Sequence, residues 1–218
     1  MCPLVCGIAS SVPINDPRQN LDWSVWHSDI ASGKSSSINS HVLRMVLWLA
    51  SLPYGASVWL RNIFFTIKIF RIKKVAVPVV CIGNLTAGGT GKTPCVEWLC
   101  RVLCSLELRV AILSRGYGGA GGANDEAMVL EDRLPDVPHL QGPDRYLIAQ
   151  SAIEELESEV LVLDDGFQHR QFARDLDIVL VDATNPWGHG YLLPRGTLRE
   201  PKSGLKRAGA VVITRADQ

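Results

Sequence analysis

From residue 79 onward the chain is punctuated by five short, mostly apolar runs: 79–82 (VVCI), 110–113 (VAIL), 160–163 (VLVL), 178–181 (IVLV) and 211–214 (VVIT). Each is too short for an ordinary helix and none alternates with polar residues. That pattern predicts strands buried on both faces, as in a parallel sheet covered by helices. Between the first two runs, CVEWLCRVLC at 95–104 predicts a helix. The predicted fold class is therefore α/β, and no internal repeat interrupts it. Several runs end in residues with chemistry to offer: Gly83, then Ser114-Arg115-Gly116, Asp164-Asp165 and Asp182. Open parallel sheets bind ligands at the carboxyl ends of their strands, so these residues should gather along one edge.

The first part of the chain has a different texture. Residues 1–40 are polar, Ser-rich and without period, which predicts a poorly ordered extension. A run of sixteen uncharged residues follows at 45–60, interrupted by Pro53 and Gly55. A second apolar stretch at 63–67 leads into Lys68, Arg71, Lys73 and Lys74. A membrane-spanning helix needs roughly 20 residues. Apolar segments carrying Trp48, Tyr54 and Trp59 beside a cation cluster instead predict a membrane-associated helical segment at 41–74, lying at the interface. The alternative is a pair of helices packed on the domain's own core. Residues 1–20 lack the basic start and apolar core of a secretory leader.

The turn after the first strand changes the picture most. Residues 83–94 read GNLTAGGTGKTP, between an apolar strand and a helix. Glycines let backbone N–H groups converge on phosphate oxygens at a helix N-terminus, so this is the setting of a phosphate-binding loop. Thr86, Ala87, Gly88, Gly89, Thr90, Gly91, Lys92 and Thr93 are the candidate nucleotide-binding residues. Lys92 would reach the β- and γ-phosphates and the Thr93 hydroxyl would hold Mg²⁺. The usual pattern has Gly where this chain has Thr86. The alternative is a strand-to-helix turn with no ligand.

The net charge is zero, which gives no sign of a nucleic-acid partner, and no obligate protein partner is evident. Locally the charge is uneven. No acidic residue lies between Asp29 and Glu97, whereas twelve carboxylates face two arginines between Gly121 and Asp165. The acidic stretch at 154–159 reads as a solvated face. None of the six cysteines forms a C-x-x-C pair or a zinc-spaced cluster, so they read as buried reduced thiols.

The remaining candidates are weaker taken singly. Asp164-Asp165 ends an apolar strand, where phosphate-loop enzymes place a magnesium carboxylate. Gly166-Phe167-Gln168-His169 continues from it, and His169 alone is as easily a satisfied structural histidine as a catalytic one. Asp125-Glu126 follows a glycine-rich loop; one carboxylate there can act as a base and one lie near the metal, though an acidic surface loop has the same appearance. The irregular segment at 185–201 carries Arg195 and Arg199, able to balance phosphate charge.

In combination, the stretches VPVVCIGNLTAGGTGKTP, LSRGYGG, NDEA, DDGFQH and GYLLPRGTLREP resemble the lipid A tetraacyldisaccharide 4'-kinase family over about residues 42–218. Thr86 is what that family carries at its position. The resemblance implies a P-loop NTPase-like parallel sheet at 75–218. It implies transfer of the ATP γ-phosphate to the 4'-hydroxyl of an acylated glucosamine disaccharide 1-phosphate, giving lipid IVA at the cytoplasmic face of a bacterial inner membrane. Carried over by position, residues 86–93 bind ATP and Asp125 is the base that activates the sugar hydroxyl. Thr93, Glu126, Asp164 and Asp165 manage Mg²⁺, while Gln168 and Arg199 assist at the phosphates.

Two departures accompany the resemblance. Asn124 stands where the family has Gly. The chain also stops at Gln218, where family members continue into a smaller second domain holding a histidine partner for the base. The expectation is that this domain is absent here. Two other readings stay open from the residues. One is a membrane-cycling ATPase switch, against which Ala87 replaces the lysine such loops carry. The other is a nucleotide-binding remnant without transfer activity. Thr214-Arg215-Ala216-Asp217 lacks the Asn and Lys of a guanine-specificity motif.

Overall fold

The computed structural model describes residues 38–116 and 125–217. In chain order it contains α1 (Ile38–Thr66), β1 (Val79–Asn84), α2 (Lys92–Ser105), β2 (Val110–Ser114), α3 (Asp125–Arg133), β3 (His139–Gln141), α4 (Arg145–Glu154), β4 (Val160–Asp164), β5 (Leu176–Asp182) and β6 (Ala210–Thr214). The strands form one six-stranded sheet in the order β3-β2-β4-β1-β5-β6, and every pairing is parallel. The predicted α/β class holds. Of the extension expected at 1–40, residues 38–40 instead begin α1, and residues 1–37, like the glycine-rich loop at 117–124, lie outside the described residues.

Alternate residues of each central strand face opposite layers. Ile82, Ile112 and Val162 join Val96, Leu99 and Leu130 in one core, beneath α2 and α3. Cys81, Leu113 and Leu163 join Ala149 and Ala152 of α4 in the other. Covered on both sides, these strands need apolar residues at every position, which is why they read as unbroken runs. Close packing reaches the strand ends: a Cβ added at Gly83 would lie 2.6 Å from Cβ of Phe167. β6 is different. It is an edge strand, and Val211, Val212 and Ile213 are exposed.

The structure alters three sequence expectations. The two apolar segments near the N-terminus are one helix, α1, which continues through Pro53 for 29 residues. Proline removes one ladder hydrogen bond, but the following turns are docked on the sheet domain. Val58 and Phe65 are buried, Tyr54 donates its hydroxyl proton to the carbonyl of Arg199 at 2.7 Å, and Arg170 donates to the carbonyl of Asn62 at 2.9 Å. Lys73, read as part of a free cation cluster, is tied to the core domain instead. It pairs with Asp144 at 3.2 Å and stacks on the Tyr146 ring. Of the cysteines, Cys81 and Cys100 are buried as expected, with the Cys100 thiol pushed up to about 12 by burial, but Cys104 is exposed.

The outer face of α1 remains apolar and uncovered: Val42, Met45, Val46, Leu49, Leu52 and Trp59 are each at least half exposed. By length and composition the helix suffices to cross a membrane, with a mean hydropathy of 1.2 over its most apolar window.

Candidate nucleotide and phosphoryl-transfer site

The glycine loop is assembled from three strand ends. Asn84, last in β1, donates from Nδ2 to the Thr90 hydroxyl at 2.9 Å, with both side chains buried, so the loop is tied to the strand that launches it. At the end of β6, Thr214 donates to the carbonyl of Thr90 at 3.1 Å. Arg215, paired with Asp182 at the end of β5, donates to the carbonyl of Gly89 at 2.9 Å. These roles make Thr214 and Arg215 structural supports of the loop. The irregular segment after β5 closes the third side: Ala87 N–H donates to Thr197 at 2.7 Å and Arg199 N–H to Leu85 at 2.8 Å. A hollow of about 280 Å³ lies over Gly88, Gly89 and Thr90.

Gly91 sits at φ 78°, a left-handed conformation that suits glycine, and turns the chain into α2. The free amides of the first turn of α2 are then available to an anion. Lys92 is only 9% exposed, and its Nζ lies 3.8 Å from Oδ1 of Asp165. The phosphate loop and the acidic end of β4 are thus within reach of one ligand.

Across from the loop, Arg199 places one Nη nitrogen 2.8 and 2.9 Å from the two oxygens of Asp165, which itself adopts φ 50°. Gln168 donates from Nε2 to the carbonyl of Asn84 at 2.8 Å and to Glu200 at 3.1 Å. Glu200 is fully buried and accepts from Arg207 at 2.8 and 2.9 Å. The resemblance implies that Gln168 and Arg199 assist at the phosphates; in the structure Gln168 contacts the loop strand and Glu200, and Arg199 contacts Asp165. Arg195 stacks on the Tyr191 ring. Asp164, Asp165, Gln168 and Arg199 line one cleft of about 630 Å³, which adjoins Lys92 through Asp165. The side chains of Asp125 and Glu126 lie outside the described residues; the backbone of both forms the first turn of α3.

Glu200 and Arg207 escaped the sequence reading as a pair, because a buried charge pair seven residues apart has no local signature. A second cluster also went unread. His139 Nε2 lies 2.8 Å from the Ser114 hydroxyl, and its Nδ1 lies 3.8 Å from Glu131. Burial lowers the His139 pKa.

His169, also in the cleft, has its pKa lowered to about 4, first by burial and then by the positive charge of Arg145, Arg174 and Arg115. The unfolded imidazole takes up its proton near pH 6.5. Between that pH and about 4 the unfolded chain binds more protons than the folded one, so stability falls as pH is lowered through this window. His169→Gln is expected to flatten the decline of Tm between pH 6.5 and 4; an unchanged slope would assign the decline to other groups.

For a divalent cation the available donors are the Thr93 hydroxyl and the carboxylates of Asp164 and Asp165, all hard oxygens. Among the described residues no group of three or more His, Cys, Asp or Glu side chains could hold a metal. That set fits Mg²⁺, which takes one or two carboxylates and completes its shell with water and phosphate, and it does not fit an all-protein cage.

A parallel sheet with a glycine loop, a buried lysine opening a helix and an acidic neighbouring strand end defines a P-loop NTPase-like nucleotide-binding protein. A family model described as tetraacyldisaccharide-1-P 4'-kinase (LpxK) matches residues 43–218, and the chain belongs to that family. The tetraacyldisaccharide 4'-kinase of Syntrophus aciditrophicus is 45% identical, over 78% of this chain and 50% of its own length. The enzyme of that name from Anaeromyxobacter dehalogenans strain 2CP-C is 47% identical, over 79% and 50%. A crystal structure of LpxK from Aquifex aeolicus in complex with ATP superposes with a TM-score of 0.74 and 37% identity, covering 80% of this chain and 60% of that one. The chain spans about half the length of the curated relatives it matches.

Proposed function

We propose that this chain transfers the γ-phosphate of ATP to the 4'-position of a tetraacyldisaccharide 1-phosphate, forming lipid IVA in lipid A biosynthesis. The observation that carries the reading is the approach of Lys92 to Asp165, which puts phosphate-binding and carboxylate groups at one point in a chain of this family.

The α2 amides and Lys92 hold the β- and γ-phosphates. Arg199 and Gln168 keep Asp165 and the loop in position. Thr93, Asp164 and Asp165, with Glu126, are the residues that would hold Mg²⁺, which when bound neutralises charge on the transferring phosphoryl group. Asp125 takes the proton of the 4'-hydroxyl as its oxygen bonds to the γ-phosphorus and the bond to the ADP oxygen breaks. The bare apolar face of α1 rests against lipid at the cytoplasmic face of the inner membrane, where ATP and an acylated acceptor can meet.

A labelled-transfer assay tests this. The chain in detergent micelles is given γ-labelled ATP, Mg²⁺ and tetraacyldisaccharide 1-phosphate. Label in a bis-phosphorylated lipid is the expected result. No labelled lipid from a chain that binds ATP would overturn the assignment of transfer to this chain.

A further inference from the structure

The transfer chemistry leaves one buried titratable group unused. The His139 side chain is only 2% exposed, sits on β3 and touches two elements that border the site. Its Nε2 lies 2.8 Å from the Ser114 hydroxyl. Ser114 ends β2, is itself buried, and lines the cleft of about 630 Å³ together with Asp164. The parallel register, with Leu113 opposite Leu163, puts Ser114 beside Asp164. The other ring nitrogen faces α3. Nδ1 lies 3.8 Å from Oε1 of Glu131, and the backbone of Ala127, one turn earlier on the same face of that helix, also draws a proton towards the ring.

These neighbours fix the tautomer. The groups around Nδ1 are acceptors, so the neutral ring carries its proton there and Nε2 accepts from the Ser114 hydroxyl. Burial keeps the ring neutral by lowering its pKa, against the opposite pull of Glu131 and Ala127. The Ser114 end of the link is made. The α3 end is open, because Nδ1 is buried and completes no hydrogen bond. Buried donors in native proteins are rarely left unpaired, and hydrogen bonds that serve a reaction are often long in the free enzyme and tighten in its complex.

The position of α3 matters because Asp125 opens it, and Ala127 lies two residues further along the same turn. The far end of the helix is tied separately: Arg133 pairs with Glu97 of α2, and its carbonyl accepts from Arg101. Leu130 anchors the middle in the core. At the first turn the polar link to the sheet is His139, beside the packing of Ala127.

We infer that His139 is a positioning residue for phosphoryl transfer. It holds the first turn of α3 in register with the end of β2, its Nδ1–H closing on the Ala127 carbonyl once nucleotide and acceptor are in place. This rests on the role of Asp125 as base proposed above. The ring touches no reacting atom; it sets where the turn bearing the base stands relative to Asp164.

The test is steady-state transfer by the full chain in micelles, with γ-labelled ATP, Mg²⁺ and tetraacyldisaccharide 1-phosphate, for the parent, His139→Phe and His139→Asn. Phe keeps an aromatic ring without either nitrogen, and Asn returns a donor near the place of Nδ1. His139→Phe is expected to lower kcat by about tenfold to a hundredfold, with KM for ATP within about twofold of the parent, the cost of slightly misplacing a reacting group. His139→Asn should recover part of kcat. Amide hydrogen exchange gives a readout independent of turnover: with MgATP bound, the amides of residues 129–131 should exchange about tenfold faster in His139→Phe than in the parent. If His139→Phe does not fold, which lost MgATP binding would show, Ser114→Ala breaks the link at its other end and is expected to give the same loss of kcat. A kcat within about twofold of the parent in His139→Phe overturns the inference and leaves the kinase reading standing, as does a raised KM for ATP with kcat unchanged. Unchanged amide exchange overturns the link itself. A parent chain that binds MgATP and labels no lipid overturns the kinase reading and this inference with it.

Discussion

Lys92→Ala is expected to lower MgATP affinity by about a hundredfold or more, with little change in stability. The ammonium is buried at the start of α2, 3.8 Å from Asp165, where the proposed reading puts the phosphates, and charge-assisted hydrogen bonds contribute about 1.5–3 kcal/mol each. Two such bonds correspond to at least about 3 kcal/mol, hence two decades in Kd. The fold survives because Asp165 keeps its two contacts from Arg199. Titration with a fluorescent ATP analogue measures the effect, and a Kd within tenfold of the parent would remove Lys92 from the phosphate site. Asp125→Ala is the contrasting variant. It should bind MgATP normally and lose transfer, because a base acts on the acceptor and not on the nucleotide; transfer left intact would move the base elsewhere.

Arg207→Ala is expected to destabilise the chain by about 3–5 kcal/mol, since it strands a fully buried carboxylate. For a domain of this size the drop in Tm is about 6–20 °C. Arg207 also covers the ring of Phe167, 4.5 Å away, so packing is lost with the charge. Adding Glu200→Gln should restore much of the stability, because a neutral amide needs no counter-ion and can still accept from Gln168. A shift under 2 °C in Arg207→Ala, read by thermal unfolding, would show that Glu200 does not depend on its partner.

The sheet was legible wherever the strand is an unbroken apolar run. Burial on both faces forces that run in β1, β2, β4 and β5, and β6 shows the same pattern although it is an exposed edge; each lies within one or two residues of the expected bounds. β3 left no trace because three residues, His139-Leu140-Gln141, on a half-covered edge need no apolar pattern. α1 was read as interrupted because Pro53 and Gly55 are local breakers, whereas the contacts that hold the helix together come from residues more than a hundred positions away. The glycine loop and Asp164-Asp165 announce themselves by composition. What braces them does not: Thr214, Arg215, Glu200 and Arg207 are ordinary residues in sequence and acquire their roles only when strand ends meet.

The attachment of α1 has a consequence for how this architecture can drift over generations. Two of its polar joints, from Tyr54 to Arg199 and from Arg170 to Asn62, end on main-chain oxygens. A carbonyl is supplied by every residue type, so the receiving side of each joint is heritable without selection on its side chain. At position 199 constraint from the joint falls on the donor alone, and Arg199 spends its guanidinium on Asp165 while its backbone anchors the helix. Asn62 is held more closely, because its own amide also meets Arg170 and Glu200, each at 3.5 Å.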